Sequence, residues 1–246
     1  MQETDKEWRL DIKRLEKSIT AKTKAIIICN PSNPLGKVYT QEELQNIARL
    51  AKIYDLYIIV DEMYEYFVFE GKHTSIGSFK EVQDRVISIF GVSKSYAMTG
   101  WRIGYIAADK QIIDQVYKIH DSLVNCPAAV AQYAALAAIT GPQDLVKSYK
   151  EVFLRQRQIV VDELAKTKAL SLITPAAAYY AFIKVNKKVN DTELALDIVQ
   201  KAKVAVVPGS AFGPGGENHI RISFGTEENT LKEGLTRLVN YFNKKS

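Results

Sequence analysis

The sequence predicts an α/β fold, in which a mainly parallel sheet with helices on both faces is followed by a smaller α+β domain. Short, unbroken apolar runs alternate with amphipathic helical segments in the first half of the chain. Strands buried on both faces have this apolar pattern, and parallel strands need helical crossovers between them. Gly141 and Pro142 then form a strong break, after which the order of strands and helices changes. We therefore predict two domains, at residues 1–140 and 141–246.

The first domain is predicted to contain strands joined by helices. The apolar runs that define the strands are residues 25–29, 57–60, 86–90 and 103–107. Residues 40–43 (TQEE) form a capping box, which marks the start of a helix between the first two strands. An Ala-rich helical segment follows over residues 110–139 and is interrupted near Pro127.

The second domain is predicted to mix helices with short strands. Helices are expected at residues 143–168, 192–201 and from 227 onward, and strands at residues 170–174, 179–185, 204–207 and 220–224. This second domain is expected to be whole, whereas the first has little sequence before its first strand.

Composition and charge indicate a globular protein and not a membrane or nucleic-acid-binding one. Hydrophobic residues make up 47% of the chain and charged residues 25%, which is typical of globular domains. No apolar run approaches the about 18 residues of a membrane span. The charged N-terminus also lacks the apolar stretch of a signal peptide, so we predict a cytoplasmic protein. The net charge of +5 is spread along helix faces, which indicates a solvated surface.

Cysteine and histidine residues give no sign of a disulfide framework or a metal site. Cys29 and Cys126 are the only cysteines in the sequence, and both are expected to be reduced and buried. His73, His120 and His219 are scattered without the spacing of metal ligands, so we predict no metal.

Three candidate functional residues lie just after predicted strands. Asn33 is in a proline-flanked turn after the first strand, a position that ordinary turn chemistry also explains. Asp61 and Tyr64 follow the second strand. Because ligands of open α/β sheets bind beyond the carboxyl ends of the strands, these two positions suit either a ligand site or a structural role.

Two further segments hold basic residues that a purely structural role explains less well. Residues 93–102 (SKSYAMTGWR) follow a buried strand and carry Lys94 and Arg102 among small and apolar residues. Arg221 lies between two isoleucines in a predicted strand. Burying an arginine there is costly unless it meets an anion, so these residues indicate an anionic ligand.

Together these segments resemble the class I/II aminotransferases, which are fold-type I enzymes of the aspartate aminotransferase superfamily and depend on pyridoxal 5'-phosphate (PLP). The matching segments are NPSNPLG at 30–36, DEMY at 61–64, SK at 93–94, GWRIGY at 100–105, VPGSAFG at 207–213 and RISF at 221–224. The resemblance implies the C-terminal portion of such an enzyme. Residues 1–140 would form a partial PLP-binding large domain and residues 141–246 a C-terminal small domain.

The resemblance implies cofactor-binding roles for residues near the strand ends. Lys94 matches the lysine that forms a Schiff base with PLP, and Asp61 the carboxylate that faces the pyridine nitrogen. Arg102 matches the arginine that binds the cofactor phosphate, with Ser93 as a second phosphate donor. A desolvated lysine amine is a suitable nucleophile and proton carrier, and the planar arginine fork suits a phosphate.

Further roles follow from the same resemblance. Asn33 and Tyr64 match residues that hydrogen-bond the phenolic oxygen of PLP. Asn33 is also expected to bind the substrate. Arg221 matches the arginine that binds the substrate α-carboxylate. Lys94, Asp61 and Tyr64 are the expected catalytic residues.

The implied activity is transfer of an amino group between an amino acid and a 2-oxo acid, with Lys94 moving the α-proton. PLP is the expected cofactor, and small-molecule amino and oxo acids are the expected partners. A homodimer is the expected assembly, because the family builds each site from two subunits. Which amino acid is used stays open.

The resemblance also implies that a section of the family's catalytic domain is missing before residue 1. That section carries a phosphate-binding loop and the aromatic ring that stacks on PLP, so this chain alone is expected to be weakly active or inactive. Three explanations stay open: a separate N-terminal polypeptide, a decayed or mis-started gene, and self-pairing along open sheet edges.

Two alternatives to the aminotransferase function remain open. PLP-dependent lyases and decarboxylases share the scaffold and retain residues of the Asp61, Lys94 and Arg102 types. The second alternative is a non-catalytic remnant that acts as an oligomerising fragment. The missing section favours this remnant, and the intact set of candidate residues opposes it.

Overall fold

The computed structural model describes residues 1–4 and 6–244 and contains two compact units. The parallel-sheet unit comprises Leu10–Ser32 and Val38–Tyr149. The antiparallel-sheet unit comprises Met1–Arg9, Asn33–Lys37 and Lys150–Ser246. The division falls between Tyr149 and Lys150, and the early segments Met1–Arg9 and Asn33–Lys37 belong to the antiparallel-sheet unit. The domain boundary at 140/141 therefore stays a prediction.

The regular elements are numbered in chain order. The strands are β1 (Gln2–Glu3), β2 (Trp8–Arg9), β3 (Ala25–Cys29), β4 (Tyr57–Asp61), β5 (Val86–Gly91), β6 (Gly104–Ala108), β7 (Leu170–Leu172), β8 (Tyr180–Val185), β9 (Val207–Pro208) and β10 (His219–Ser223). The helices are α1 (Ile12–Ser18), α2 (Gln41–Ile53), α3 (Val92–Ser95), α4 (Lys110–Leu123), α5 (Ala129–Thr140), α6 (Asp144–Leu164), α7 (Asp191–Ala202) and α8 (Glu228–Asn243).

The parallel-sheet unit confirms the predicted fold class. Its sheet has the order β3-β4-β5-β6, in which β3, β4 and β5 are parallel and β6 runs antiparallel to β5. Helix α2 connects β3 to β4 and begins at the predicted capping box of Thr40 and Glu43. The strands β3 and β6 are the two edges of this sheet.

One face of this sheet carries the core of the unit. Alternate residues of β3 and β4 point to the same face, and they form one cluster with buried residues of α2. The members from these elements are Ile26, Ile28, Ile58, Val60, Leu44, Ile47, Ala48, Leu50 and Ala51. Burial of each large apolar side chain stabilises the fold by roughly 1.5–3 kcal/mol.

The later part of the unit is much more exposed. No residue of α4 is buried, although the helix is amphipathic. Large apolar side chains project into solvent from α4 and α5, among them Tyr117, Leu123 and Tyr133, which are 64%, 76% and 74% exposed.

The antiparallel-sheet unit is built on a sheet of order β7-β8-β10-β9. Arg221 of β10 pairs with Phe182 of β8, and Ile220 pairs with Ile183. Because paired residues of antiparallel strands lie on the same face, Arg221 and Phe182 share one face, while the isoleucines share the other. Helix α7 contacts β9, β10 and α8 and contributes the fully buried Ile198.

Some elements differ from their predictions. The hairpin of β1 and β2 and helix α1 are absent from the predictions, because two-residue strands are too short to show a periodic pattern. The strand expected at 204–207 is limited to Val207 and Pro208, which pair with Arg221 and Ile220. The expectation of a buried thiol is wrong for Cys126, which is exposed in the connection from α4 to α5.

Over residues 1–4 and 6–244, no helix has both the length and the apolar character that crossing a membrane would require.

Candidate active site

The predicted cofactor residues gather at one edge of the parallel sheet. Parallel strands β3, β4 and β5 end at this edge, and β6 starts there, since Gly91 pairs with Gly104. Backbone hydrogen bonds continue just past the strand ends, from Asn30 N to Asp61 O and from Glu62 N to Ile89 O, each at 2.9 Å. The edge is therefore a rigid platform for the loops that follow.

Asp61 and Tyr64 occupy the turn after β4. Asp61 is half-buried, and its Oδ1 accepts a hydrogen bond from the backbone N–H of Met63 at 2.9 Å. Tyr64 is buried, with 4% of its surface exposed. The backbone N–H of Phe67 donates to Tyr64 O at 3.0 Å, which keeps this segment compact.

A buried polar cluster supports the same turn. Glu62 is fully buried, and its Oε1 accepts a hydrogen bond from Ser75 Oγ at 2.7 Å. His73 Nε2 lies 3.0 Å from Glu62 Oε2, which is an ion-pair distance without hydrogen-bond geometry. Burial raises the pKa of the neighbouring Glu65 carboxyl; the Glu62 charge adds to this rise, and His73 opposes it.

Lys94 lies on the short helix α3, which starts directly after β5. Val92 and Ser95 on either side are both 1% exposed and fix this helix in the fold. Ser93 and Lys94 themselves are half-buried. In the part of the chain that the structure describes, no side chain forms a hydrogen bond or an ion pair with the Lys94 amine.

Arg102 ends the 3-10 turn Thr99–Trp101 and leads into β6. Its backbone is left-handed, with a φ of 54°, and its guanidinium donates to Thr99 O at 2.9 Å. The side chain is otherwise exposed at the sheet edge. It therefore presents its remaining N–H groups to solvent or to a ligand.

The chemistry of this edge fits PLP. Asp61, Lys94 and Arg102 have ionisable side chains, yet none of them forms an ion pair with another described residue. PLP offers a partner for each, because it has a carbonyl carbon for an amine, a ring N–H for a carboxylate and a phosphate for a guanidinium. Groups of His, Cys, Asp or Glu that could hold a metal ion do not occur among the described residues.

The antiparallel-sheet unit brings together the other two predicted residues. Arg221 Nη1 donates a hydrogen bond to Asn33 Oδ1 at 2.9 Å. Arg221 Nε is buried and has no hydrogen-bond partner in the described chain. The guanidinium carbon lies 4.5 Å from the centre of the Tyr180 ring and 4.9 Å from that of Phe212. A buried cationic donor without an acceptor is costly unless an anion completes it.

A close backbone approach explains why Asn33 belongs to this unit. Ala177 N donates to Gly36 O at 2.9 Å, which joins segment Asn33–Lys37 to the strand connection before β8. Gly36 has a φ of +63°, and a Cβ there would lie 2.3 Å from Pro175 Cβ. Only glycine fits this contact without displacing the neighbouring backbone.

Each predicted site residue therefore has a defined setting. Five of them lie at the carboxyl edge of the parallel sheet, and the remaining two are bonded to each other in the antiparallel-sheet unit. They are Asp61, Tyr64, Ser93, Lys94 and Arg102 in the first group, and Asn33 and Arg221 in the second. Sequence reasoning missed Glu62, His73, Tyr180 and Phe212, because their contacts come from the loop geometry and not from a pattern along the chain.

Comparison with known proteins identifies the family of the chain. The sequence profile of aminotransferase class I and II matches residues 2–238. The chain belongs to the class I and II aminotransferases. This confirms the family that the sequence motifs indicate.

Individual class I and II aminotransferases resemble the chain over nearly all of its length. It is 39% identical to a putative aminotransferase of Bacillus subtilis, and the alignment covers 98% of this chain and 62% of the relative. It is 37% identical to aromatic-amino-acid aminotransferase 2 of Thermococcus litoralis, over 98% of the chain and 63% of the relative. The crystal structure of the aromatic aminotransferase from Pyrococcus horikoshii matches with a TM-score of 0.92 and 35% identity, over 96% of the chain and 64% of that structure. The chain thus spans less than two thirds of the length of these aminotransferases.

Proposed function

We propose that the chain acts as a PLP-dependent aminotransferase, which moves an amino group between an amino acid and a 2-oxo acid. The observation that carries this proposal is the half-buried Lys94 amine, which has no partner among the described residues and follows the carboxyl end of β5 next to the Asp61 strand. Membership of the class I and II aminotransferases supports it. When bound, PLP supplies an electron sink for the charge left on the α-carbon after proton removal.

Residues at the sheet edge would hold the cofactor. The Lys94 amine would bind the carbonyl carbon of PLP. Asp61 would accept a hydrogen bond from the ring N–H and so keep the ring nitrogen protonated. Arg102 and Ser93 would bind the phosphate, since a guanidinium fork and a hydroxyl both donate to phosphate oxygens. Tyr64 would donate its hydroxyl to the phenolic oxygen.

The Lys94 amine would also carry the proton in the reaction. A neutral lysine amine is a general base that can accept the proton from the substrate α-carbon. The positions of Val92 and Ser95, which are both 1% exposed, limit the motion of the backbone that carries it.

Arg221 would bind the substrate α-carboxylate. Its buried Nε lacks a hydrogen-bond partner among the described residues, whereas Nη1 is already bonded to Asn33. A carboxylate accepts two parallel hydrogen bonds from an arginine, so it would complete the free side of this guanidinium. Asn33 would then both orient Arg221 and line the substrate.

Transfer of a nitrogen label tests the proposal. The purified chain with added PLP is incubated with a panel of ¹⁵N-labelled amino acids and 2-oxoglutarate, and labelled glutamate is measured by mass spectrometry. We expect label transfer at the low rate of a weakly active chain; it should be lost in Lys94→Ala and retained in Lys147→Ala, which changes an exposed lysine of α6. Release of labelled ammonia without an oxo acid would favour a lyase. Absence of both products would contradict an enzymatic role for the chain.

A further inference from the structure

Two aromatic rings lie against the Arg221 guanidinium. Its central carbon is 4.5 Å from the Tyr180 ring centre and 4.9 Å from the Phe212 ring centre. Tyr180 is 8% exposed and belongs to the sheet core, whereas Phe212 is 37% exposed at the end of a 3-10 turn. Both distances are within the range of a cation–π interaction, which is about 6 Å.

The fold holds Phe212 in this position from two sides. Its 3-10 turn, Gly209–Phe212, is fastened by the buried Asp191, which accepts hydrogen bonds from Ser210 N at 2.7 Å and from Ser210 Oγ at 2.8 Å. The Phe212 ring also packs edge-on against Phe182, with ring centres 6.0 Å apart. Phe212 is therefore exposed on one side but anchored on the other.

The Phe182 ring is itself fixed by further aromatic contacts. It stacks on His219 with ring centres 4.7 Å apart and lies 6.0 Å from Trp8, which belongs to the N-terminal hairpin. Trp8, Phe182 and His219 are all buried. The support beneath Phe212 is thus a packed cluster and not a single mobile side chain.

Arg221 needs such support, because hydrogen bonding fixes only part of it. Asn33 accepts from Nη1, while Nε is buried without a partner among the described residues. An arginine side chain has several rotatable bonds, and ordering them on binding costs free energy. A guanidinium that the rings already hold in place loses less of that free energy when an anion arrives.

We propose that Phe212 is a positioning residue that, together with Tyr180, holds the Arg221 guanidinium so that its Nε edge meets the substrate carboxylate. This inference rests on the proposed role of Arg221 in carboxylate binding. It predicts that removing the Phe212 ring weakens carboxylate binding and raises KM, while kcat changes little. A higher KM at unchanged kcat is expected when the lost contact stabilises the bound substrate and the transition state equally.

Succinate binding to the PLP-loaded chain tests the proposal without turnover, because succinate has no amino group to transfer. Isothermal titration calorimetry compares the wild type with Phe212→Leu and Phe212→Tyr. Loss of a partly desolvated cation–π contact should weaken binding roughly tenfold in Phe212→Leu, and Phe212→Tyr, which keeps the ring, should bind as the wild type does. Equal affinities in all three proteins, or a tyrosine variant as weak as the leucine variant, would overturn the proposal.

A second measurement needs no ligand. Nuclear magnetic resonance relaxation of the Arg221 Nε–H group reports its order directly. We expect a lower order parameter in Phe212→Leu than in the wild type and Phe212→Tyr; an unchanged value would overturn the positioning role. If Phe212→Leu does not fold, Phe212→Met provides the same comparison with a flexible side chain of similar volume.

Different experimental results would overturn this inference and the proposed function. A wild type that does not bind succinate overturns the carboxylate role of Arg221, and the positioning role falls with it. A chain that binds succinate with the expected Phe212 dependence but transfers no nitrogen contradicts only the proposed reaction.

Discussion

At the scale of single residues, the charged groups of the candidate site are set apart by their lack of ionic partners. Surface pairs such as Lys232 with Glu228 and Lys110 with Asp114 are ordinary ion pairs one helical turn apart. Asp61, Lys94 and Arg102 form none with the residues that the structure describes, although all three lie at one sheet edge. Such an arrangement suits binding of a ligand that carries complementary groups.

Gly36 provides a stability prediction at this scale. An alanine at this position would combine a positive φ with a Cβ 2.3 Å from Pro175 Cβ. We expect Gly36→Ala to lower the free energy of unfolding by about 2 kcal/mol or more, because a left-handed backbone and a steric overlap both cost free energy. Urea unfolding followed by circular dichroism measures the change.

A matched glycine separates the two causes. Gly71 also has a positive φ, +77°, but a Cβ there would meet no atom within 4 Å. Gly71→Ala should therefore show only the backbone cost, roughly 1 kcal/mol. Equal destabilisation by the two substitutions would contradict the steric role given to Gly36.

At the scale of elements, helix starts are the best example of local control by the sequence. Helix α2 begins at the Thr40–Glu43 capping box that the sequence predicts, and α8 follows the N-cap residue Glu227. In α8 the Glu227 carboxylate accepts a hydrogen bond from Thr230 N at 2.9 Å. Because these contacts lie within one helical turn, they can be predicted without knowledge of the fold.

The cap of α8 gives a pH prediction. Backbone hydrogen bonds from Asn229 and Thr230 lower the pKa of the Glu227 carboxyl below its ordinary value. A carboxyl whose pKa is lower in the folded state stabilises the protein above its unfolded pKa, and this contribution disappears as pH falls through the folded pKa. We expect the stability advantage of the wild type over Glu227→Gln to shrink as pH falls below about 4.3.

A nuclear magnetic resonance titration of the carboxyl resonances over pH 2 to 7 measures the pKa of Glu227 directly. Thermal unfolding of both proteins over the same range then gives the stability difference. A Glu227 pKa at or above the ordinary value, or a difference that grows as the solution becomes acidic, would rule out this interpretation of the cap.

At the scale of the whole molecule, the apolar side chains exposed on α4 and α5 predict self-association. Tyr117, Leu123 and Tyr133 are each more than half exposed, at 64%, 76% and 74%. Large apolar side chains exposed together often belong to interaction sites. We expect light scattering after size-exclusion chromatography to show a dimer or a larger assembly.

Charged substitutions can test this surface. Leu123→Glu combined with Tyr133→Glu should shift the chain toward a monomer, because burying the new carboxylates in an interface is costly. Leu196→Glu changes a similarly exposed leucine of α7, at 61%, and should leave the assembly unchanged. A wild-type chain that is monomeric at all concentrations would exclude the expected homodimer.

The fold was predictable from the sequence where the signals are local. The strands β3 to β6 correspond closely to the unbroken apolar runs of the sequence. The connection of Asn33 to Arg221 is different, since it joins residues that are far apart in sequence. Each residue was a candidate from its own position in the sequence, but no pattern along the chain shows that they touch.

Contacts made by loops were the least predictable. Glu62 meets His73 and Ser75 across the loop that follows β4, and Phe212 meets Arg221 across the connection before β10. Each of these residues has an ordinary explanation in the sequence, as an acidic turn residue, a scattered histidine or an apolar side chain. Their importance depends on loop conformations, which apolar periodicity does not determine.

Covalent trapping of PLP on Lys94 tests the central proposal most directly. The purified chain is mixed with PLP, reduced with borohydride, digested and analysed by mass spectrometry, with Lys94→Ala as the control. We expect one dominant pyridoxyl adduct, on Lys94, because its amine lacks a partner among the described residues and Lys94 follows β5, the strand that pairs with the Asp61 strand. An absence of adducts, or labelling spread over surface lysines to the same extent in Lys94→Ala, would contradict the proposed cofactor site.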